Sequence, residues 1–459
     1  MIFSIQLAHS ADGVRAWRNG RTVSGIVCLH IAMALAPSAI AAQSPDLDSL
    51  AAHAVANNPA VHVAAARVRA AQARIGPAGA RSEPILMAGI LNLPYDNPGY
   101  SDDFTMNILR LTQNFPYPGK LRLAEQVARN EVAAAAAALG QARLDAITDT
   151  RAAYYELAFV RSARGIVEQN RTVVAGLISA SEARYGVGTA SLSDVLRARV
   201  DAARLGDVAA SLSAEERAAL ARLNAVLSRP GAMPVPQATI PARIARLAVA
   251  ESATQVRFSS AALGAAAADS PLLPLDSLVT LAVRNSPMLR SHEAEIAAQE
   301  RRLALARKAH LPDFDVSLEY DHRPQYRDYV SMFVSIPLRL QRGRKQNQEV
   351  LETRAALEAV KAGHVSAVDS VRRRIATLAS DVERERTQLA LAVKAVLPQV
   401  RATMASTLAG YQAGRVDFPA VIDAQALVFN YETAYFRDLT DFAVTLAELE
   451  RVVGAEVLR

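Results

Sequence analysis

The chain has 459 residues, of which 51% are hydrophobic but only 5% aromatic, and its 51 basic and 45 acidic side chains leave a net charge of +6. Much of the apolar count is alanine, the best helix former and a small one, so the composition favours long, closely packed helices over an aromatic core. A mean hydropathy of +0.10 excludes a polytopic helical membrane protein, and charges of both signs interspersed along helical patterns, with no basic arm, exclude a nucleic-acid binder.

At the N-terminus, Arg15, Arg18 and Arg21 form a basic region ahead of the apolar stretch Val23 to Leu35, and Ala39-Ile-Ala41 supplies small residues at a signal-peptidase spacing. The apolar run is too short to span a bilayer comfortably as a permanent helix. Residues 1–42 are therefore expected to be a cleaved secretory signal, to which the residues ahead of Arg15 are superfluous. The single cysteine, Cys28, lies inside this signal. It follows Val27, where a lipidation signal has a small residue, and the apolar core continues past it. Lipidation of Cys28 is the alternative to cleavage near Ala41.

The rest of the chain is a tandem duplication. Residues 47–61 read LDSLAAHAVANNPAV and residues 275–289 read LDSLVTLAVRNSPML, with Leu47, Asp48, Ser49, Leu50, Ala54, Val55, Asn57 and Pro59 recurring at a constant offset of 228. Pro84 recurs at Pro312 at the same offset. The repeats are placed at 43–228 and 275–459, with the proline-rich stretch 229–274 joining them as a linker or equatorial segment.

Each repeat has the same order of predicted elements. A helical pattern comes first, 48–80 and then 276–310, with Pro59 and Pro287 inside it as kinks or restarts. Two strand-like stretches follow, 85–93 and 104–115 in the first repeat, 314–320 and 330–336 in the second. Those of the second repeat alternate apolar and polar residues strictly, except at Phe333. Short loops, 94–103 and 321–328, link the strands. Very long helical patterns then cover 119–184 and 343–410. At 1.5 Å per residue each would reach roughly 100 Å, which implies a coiled-coil-like rod. A glycine-containing turn leads to return helices at 191–228 and 418–453.

Four strands of this length suit a wall between lipid and water, with Tyr95, Tyr100, Phe104, Tyr320, Tyr326 and Tyr329 near their ends where an aromatic girdle belongs. Four strands do not close a membrane barrel, since the smallest need about eight, and open edges are not tolerated in lipid. Several copies are therefore required, and three would give about twelve strands.

The order of elements, and above all the two turns, resembles the TolC outer-membrane factor family. The turns read Tyr185-Gly-Val-Gly188-Thr-Ala-Ser-Leu-Ser-Asp194-Val-Leu-Arg-Ala198 and Tyr411-Gln-Ala-Gly414-Arg-Val-Asp-Phe-Pro-Ala-Val-Ile-Asp423-Ala424. Gly188 and Gly414 also have a local reading as helix C-caps with positive φ. The resemblance implies a mainly α protomer with a small β part, assembled as a homotrimer. Its strands form a shared outer-membrane barrel, its helices form a periplasmic tunnel, and the turns form a tip opened by a periplasmic adaptor and an inner-membrane pump of the resistance-nodulation-division type.

It further implies that Tyr185, Gly188, Asp194, Tyr411, Gly414, Arg415 and Asp423 belong to the periplasmic tip. Asp194 and Tyr411 match positions that bond between helix pairs, and Asp423 matches an inward-facing acidic ring. For Asp194 the local reading is a helix N-terminal carboxylate, and for Asp423 a solvated helix face. Ala420 and Val416 stand where the family pattern has charged groups, and whether Arg415 substitutes for them is left open.

Gln113-Asn-Phe-Pro-Tyr-Pro-Gly-Lys120 resembles the heavy-metal branch serving copper or cobalt-zinc-cadmium pumps, though Pro-Gly there also reads as a helix-starting turn. Drug efflux, type I protein secretion and a periplasmic coiled-coil scaffold are the other readings. The eight His are scattered, and no metal-ligand spacing, P-loop, dinucleotide fingerprint or nucleophile elbow is present. The expectation is a passive conduit with no cofactor and no catalytic role.

Overall fold

The computed structural model describes residues 46–248 and 272–457, apart from 97, 237 and 456. The expected signal segment at 1–42, with Cys28, and residues 249–271 of the joining stretch lie outside the described residues.

Each opening helical pattern is two helices. Helix α1 (Leu47–Asn57) and α2 (Pro59–Gly79) are separated by Asn58, whose backbone is extended at φ −66 and ψ 125 and whose side chain accepts from the Ala60 N–H at 2.8 Å. Proline pushes the preceding residue out of the α region and suits the first helical position, so Pro59 restarts the helix. In the second repeat Ser286, extended at φ −60 and ψ 117 but without a side-chain cap, separates α6 (Leu275–Asn285) from α7 (Pro287–Lys308).

The first rod, α3 (Lys120–Gly186), runs unbroken for 67 residues and returns as α4 (Leu192–Val226). The second rod differs from its expected single span. It is α8 (Gln346–Leu391), a π-helical turn at Ala392–Val396, and α9 (Leu397–Gln412), returning as α10 (Phe418–Val453). Pro398 accounts for the difference. It has no N–H to give a carbonyl one turn back and its ring crowds that carbonyl, so the helix widens locally. The corresponding residue of α3 is Thr172, which keeps its N–H.

The main core sits at mid-length, where Leu278, Leu289, Ile375, Leu389, Phe442 and Leu449 are buried together and Tyr155, Leu157, Leu223 and Leu227 form a second cluster. The described part of the joining stretch is built into this core. Val235 and Ala238 enter the second cluster, while α5 (Ala242–Ala248) lays Ile244 and Ala248 on the first. Fully burying a Leu or Ile side chain in this core contributes roughly 1.5–3 kcal/mol.

Acidic groups inside the helical body oppose that gain. Glu385 is buried on α8, where burial pushes its carboxyl up despite the Thr445 hydroxyl and Arg384 nearby, and its Oε2 has no hydrogen-bond partner among the described residues. A raised carboxylate contributes stability in its neutral form that is lost as pH rises through the folded pKa. Glu385→Gln is thus expected to raise the melting temperature at neutral pH but not at pH 4, which thermal unfolding at the two pH values would check.

The four strands form one antiparallel sheet in the order β1 (Ile85–Leu91), β2 (Met106–Phe115), β3 (Phe314–His322), β4 (Tyr329–Ser335), so a hairpin from each repeat meets along β2–β3. All four helical connections leave from one end of the sheet, and the loops 92–105 and 323–328 occupy the other.

The pairing register sorts the side chains. Leu86 faces Leu111, Ala88 faces Leu109, Leu109 faces Tyr320, Leu111 faces Leu318, Leu318 faces Met332 and Tyr320 faces Val330, which makes one face an apolar row across all four strands. The other face is polar from Arg110 to Asn114 on β2 and from Asp315 to Asp321 on β3, with Met106 and Ile108 of β2 and Ile85, Met87 and Leu91 of β1 as its apolar flank. Thr112 and Ser317 share a hydrogen bond of 2.9 Å, Asn114 donates to Asp315 at 2.7 Å, and Arg110 pairs with Glu319. Phe333, the exception to alternation, lies on this polar face, with the Arg110 guanidinium 5.7 Å from its ring centroid. Among the described residues no helix is long and apolar enough to cross a membrane.

Candidate functional site: the glycine-turn tip

Both rods end in the same turn. Gly188 has φ +75 and Gly414 has φ +73. In the first turn Gly188 N–H donates to Tyr185 O at 2.9 Å and Thr189 N–H to Arg184 O at 2.8 Å; in the second, Gly414 N–H donates to Tyr411 O at 3.0 Å and Arg415 N–H to Gly410 O at 2.9 Å. This paired pattern is the Schellman closure, which satisfies carbonyls a helix end leaves open and requires the left-handed conformation that glycine adopts without strain.

The return helices start differently. Ser191 and Asp194 form a capping box: Ser191 Oγ accepts from Asp194 N–H at 3.3 Å and Asp194 Oδ2 from Ser191 N–H at 3.1 Å. In the second turn Asp417 takes the N-cap position without a side-chain bond, and Pro419 sits in the first turn. The Val416 side chain lies against Gly410, where an added Cβ would come within 2.6 Å of Val416 Cγ2. Gly410→Ala is expected to cost about 1–3 kcal/mol by overpacking, which faster limited proteolysis across 410–418 would reveal.

Between the turns lies a small core of Leu177, Ala198, Tyr411, Phe418 and Val421. The rings of Tyr411 and Phe418 meet edge to face at 5.5 Å. Arg184, on the first rod, stacks its guanidinium 4.5 Å from the Tyr411 ring centroid and donates from Nη1 to Tyr411 O at 2.6 Å. One cation thus fastens the end of α3 to the end of α9 and neutralises a helix-terminal carbonyl.

Further along the coil, buried Gln425 donates to Asn170, whose amide donates to Ile166 O at 2.9 Å. Glu216 on α4 accepts from Arg161 at 2.9 Å and from Arg164, both on α3. Burial alone would raise the Glu216 carboxyl, but the two guanidinium hydrogen bonds hold it below the usual carboxylate range. Such a group stabilises the α3–α4 coil above its unfolded pKa and loses that contribution as pH falls through the lowered folded value. Acid is therefore expected to loosen the coil, with Glu216→Gln flattening the dependence, as hydrogen exchange along α4 would show.

The residues anticipated from sequence are not all brought together. Gly188, Gly414 and Tyr411 shape the joint. The Tyr411 hydroxyl is buried and has no hydrogen-bond partner among the described residues, and Asp194 is bonded to Ser191 rather than to Tyr411. Tyr185 is 48% exposed, and Arg415 and Asp423 are exposed without a side-chain bond among the described residues. Sequence reasoning missed Arg184 and Phe418. The available signals were a cation in the last turn of α3 and an aromatic opening α10.

Where the expected turn at Pro118-Gly119-Lys120 lies, a joint locks the repeats at the helix end of the sheet. Gly119 has φ +88 and caps α3, and a Cβ there would meet Lys308 Nζ at 2.8 Å. Lys120 Nζ donates to Asp313 Oδ1 at 2.7 Å and to Leu311 O at 2.8 Å. Among the described residues no three His, Cys, Asp or Glu are placed to hold a metal ion.

The sequence profile of the family described as Outer membrane efflux protein matches residues 50–229 and 278–455. Among solved structures, the fold is similar to the outer-membrane channel OprN, with a TM-score of 0.72 at 19% identity over 89% of this chain and 90% of that one. It is also similar to the outer membrane protein VceC from Vibrio cholerae, with a TM-score of 0.71 at 19% identity over 90% and 96% of the two chains. CusC superposes with a TM-score of 0.72 at 14% identity, over 89% and 92%. A search of curated proteins finds no match.

Proposed function

We propose, because this chain belongs to the outer membrane efflux protein family, that it is the protomer of a trimeric conduit carrying solutes from the periplasm of a Gram-negative bacterium to the exterior. The observation that carries this reading is the sheet. It has an apolar row across all four strands on one face, a polar stretch of β2 and β3 on the other, helices leaving from one end only, and two edges, β1 and β4, that no strand among the described residues covers. Lipid does not accept open edges, and four strands fall short of the roughly eight that the smallest closed barrels use. Three copies joined β4 to β1 would hide every edge, turn the apolar row to lipid and line the lumen with Arg110, Thr112, Ser317 and Glu319.

The glycine-turn tip is then the periplasmic entrance, opened when an adaptor and a resistance-nodulation-division pump dock. The unpartnered Tyr411 hydroxyl is available for a bond to Asp194 of an adjacent helix pair in the trimer. Asp194→Ala with Tyr411→Phe is expected to raise single-channel conductance in planar bilayers, and unchanged conductance would refute the latch. Three exposed Asp423 side chains around a narrow entrance would concentrate negative potential and attract cations. Asp423→Ala is expected to weaken block by trivalent cations.

The cargo we propose is heavy-metal cations, on the resemblance carried by Pro118-Gly119-Lys120. Deleting the gene and scoring growth on copper, zinc, cobalt and dyes tests this. Sensitivity to dyes alone would overturn the metal reading and favour organic solutes.

A further inference from the structure

Ten residues, 336–345, join β4 to α8, whereas four, 116–119, join β2 to α3. The longer joint has a composition of its own. The apolar row of β4, Val330, Met332 and Val334, continues with the same alternation through Ile336, Leu338 and Leu340 after sheet pairing has stopped at Ser335. Pro337 lacks the N–H that further pairing would use. Leu338 is 81% and Leu340 89% exposed, far outside the range of a packed loop.

Three cations follow at once, Arg342, Arg344 and Lys345. All are exposed, and among the described residues none has a side-chain hydrogen bond or ion pair. No acidic residue lies between Asp328 and Glu349. The half-buried Arg339 is set apart from this group: it faces Asp313, beside Lys120, and reaches Leu311 O at 3.4 Å.

This segment leaves the sheet at the end from which every helix departs, so it stands where a membrane-spanning sheet would meet the periplasm. Apolar side chains followed directly by unpaired cations match the order of a bilayer boundary, acyl chains and then phosphates. We infer that residues 336–345 form an interfacial foot that inserts Leu338 and Leu340 into the periplasmic leaflet and binds anionic phospholipid headgroups through Arg342, Arg344 and Lys345. The inference rests on the reading of the sheet as membrane-spanning.

Charge complementarity favours lipid over a second copy of the chain. A neighbour pairing its β1 antiparallel to β4 would bring its own residues 80–85 to this place, where Arg81 and Glu83 cancel and leave nothing to balance three cations.

The test uses the full-length protein. Flotation with vesicles of phosphatidylcholine, with and without phosphatidylglycerol, comes first, and failure to float with either would overturn the membrane reading and the foot with it. For protein that floats, native mass spectrometry with each lipid titrated in is expected to show phosphatidylglycerol bound at least tenfold more tightly than phosphatidylcholine. Arg342→Gln, Arg344→Gln and Lys345→Gln together should remove that preference while the oligomer stays intact. Equal binding of the two lipids, or a preference that survives the triple substitution, overturns the foot alone. Leu338→Ser with Leu340→Ser should weaken binding of both lipids. Dissociation of the oligomer with lipid preference unchanged would instead show that a second copy covers the leucines, and would also overturn it.

Discussion

Replacing Phe418 by Ala is expected to be the most damaging single change at the glycine-turn tip. Phe418 is 2% exposed and meets Tyr411 edge to face, and the Tyr411 ring also carries the Arg184 guanidinium. Removing the ring deletes buried apolar surface and leaves a cavity between helix ends that their turns prevent from closing, at a cost of about 3–5 kcal/mol. The Tyr411 platform then loses its backing and Arg184 its fixed partner. Rapid proteolysis at 410–418 and a raised basal conductance should follow. Tyr411→Phe is the control. It removes only a hydroxyl that has no partner among the described residues, so thermal stability of the protomer should be unchanged to within about 0.5 kcal/mol. Raised conductance with unchanged stability would place the hydroxyl's role between protomers. A large loss of stability would place it inside the small core.

The second large effect is expected on the sheet. Met332 lies on the apolar row opposite Leu318, and Ser331 next to it lies on the polar face opposite Glu319. If the apolar row meets lipid, Met332→Arg places a cation in hydrocarbon at a cost of about 2–4 kcal/mol near the midplane. Ser331→Arg places the same side chain beside a carboxylate in water. Met332→Arg should therefore lower the amount of folded protein recovered from outer membranes severalfold, and Ser331→Arg should not. Equal tolerance of the two would remove the basis for assigning the faces.

Much of this architecture is written locally. The period-2 alternation of the second hairpin and the uninterrupted helical pattern of the first rod are properties of neighbouring residues, and each appears as an element. Gly188 and Gly414 were legible because a backbone at positive φ nearly demands glycine. Other features depend on what folds against what. Pro398 was passed over within a long helical pattern, yet its missing N–H opens a π turn that Thr172 does not. The prolines of 229–274 read as a linker or equatorial segment, but the burial of Ile244 and Ala248 at mid-length follows from tertiary contact rather than periodicity.

The tip shows the same division. Asp194 was legible as a helix N-terminal carboxylate, while its reciprocal capping bond with Ser191 emerged only in the fold. The pairing of Asp194 with Tyr411 came from resemblance, and within one protomer the two are not bonded. Arg184 reaches a residue more than two hundred positions away; its place in the last turn of α3 was visible, but its partner was not. Phe333 joins the two cases. Its break in alternation was visible, and its reason, the guanidinium of Arg110 from the other repeat, was not.

The claim on which the rest depends is that one chain cannot close the channel and several copies do. Its direct measurement is the mass of the particle extracted from outer membranes in detergent, taken with single-channel recording of the same sample. A particle of three chains that conducts in planar bilayers is the predicted result. A monomer that is stable in water without detergent, and that leaves a bilayer silent, would contradict it.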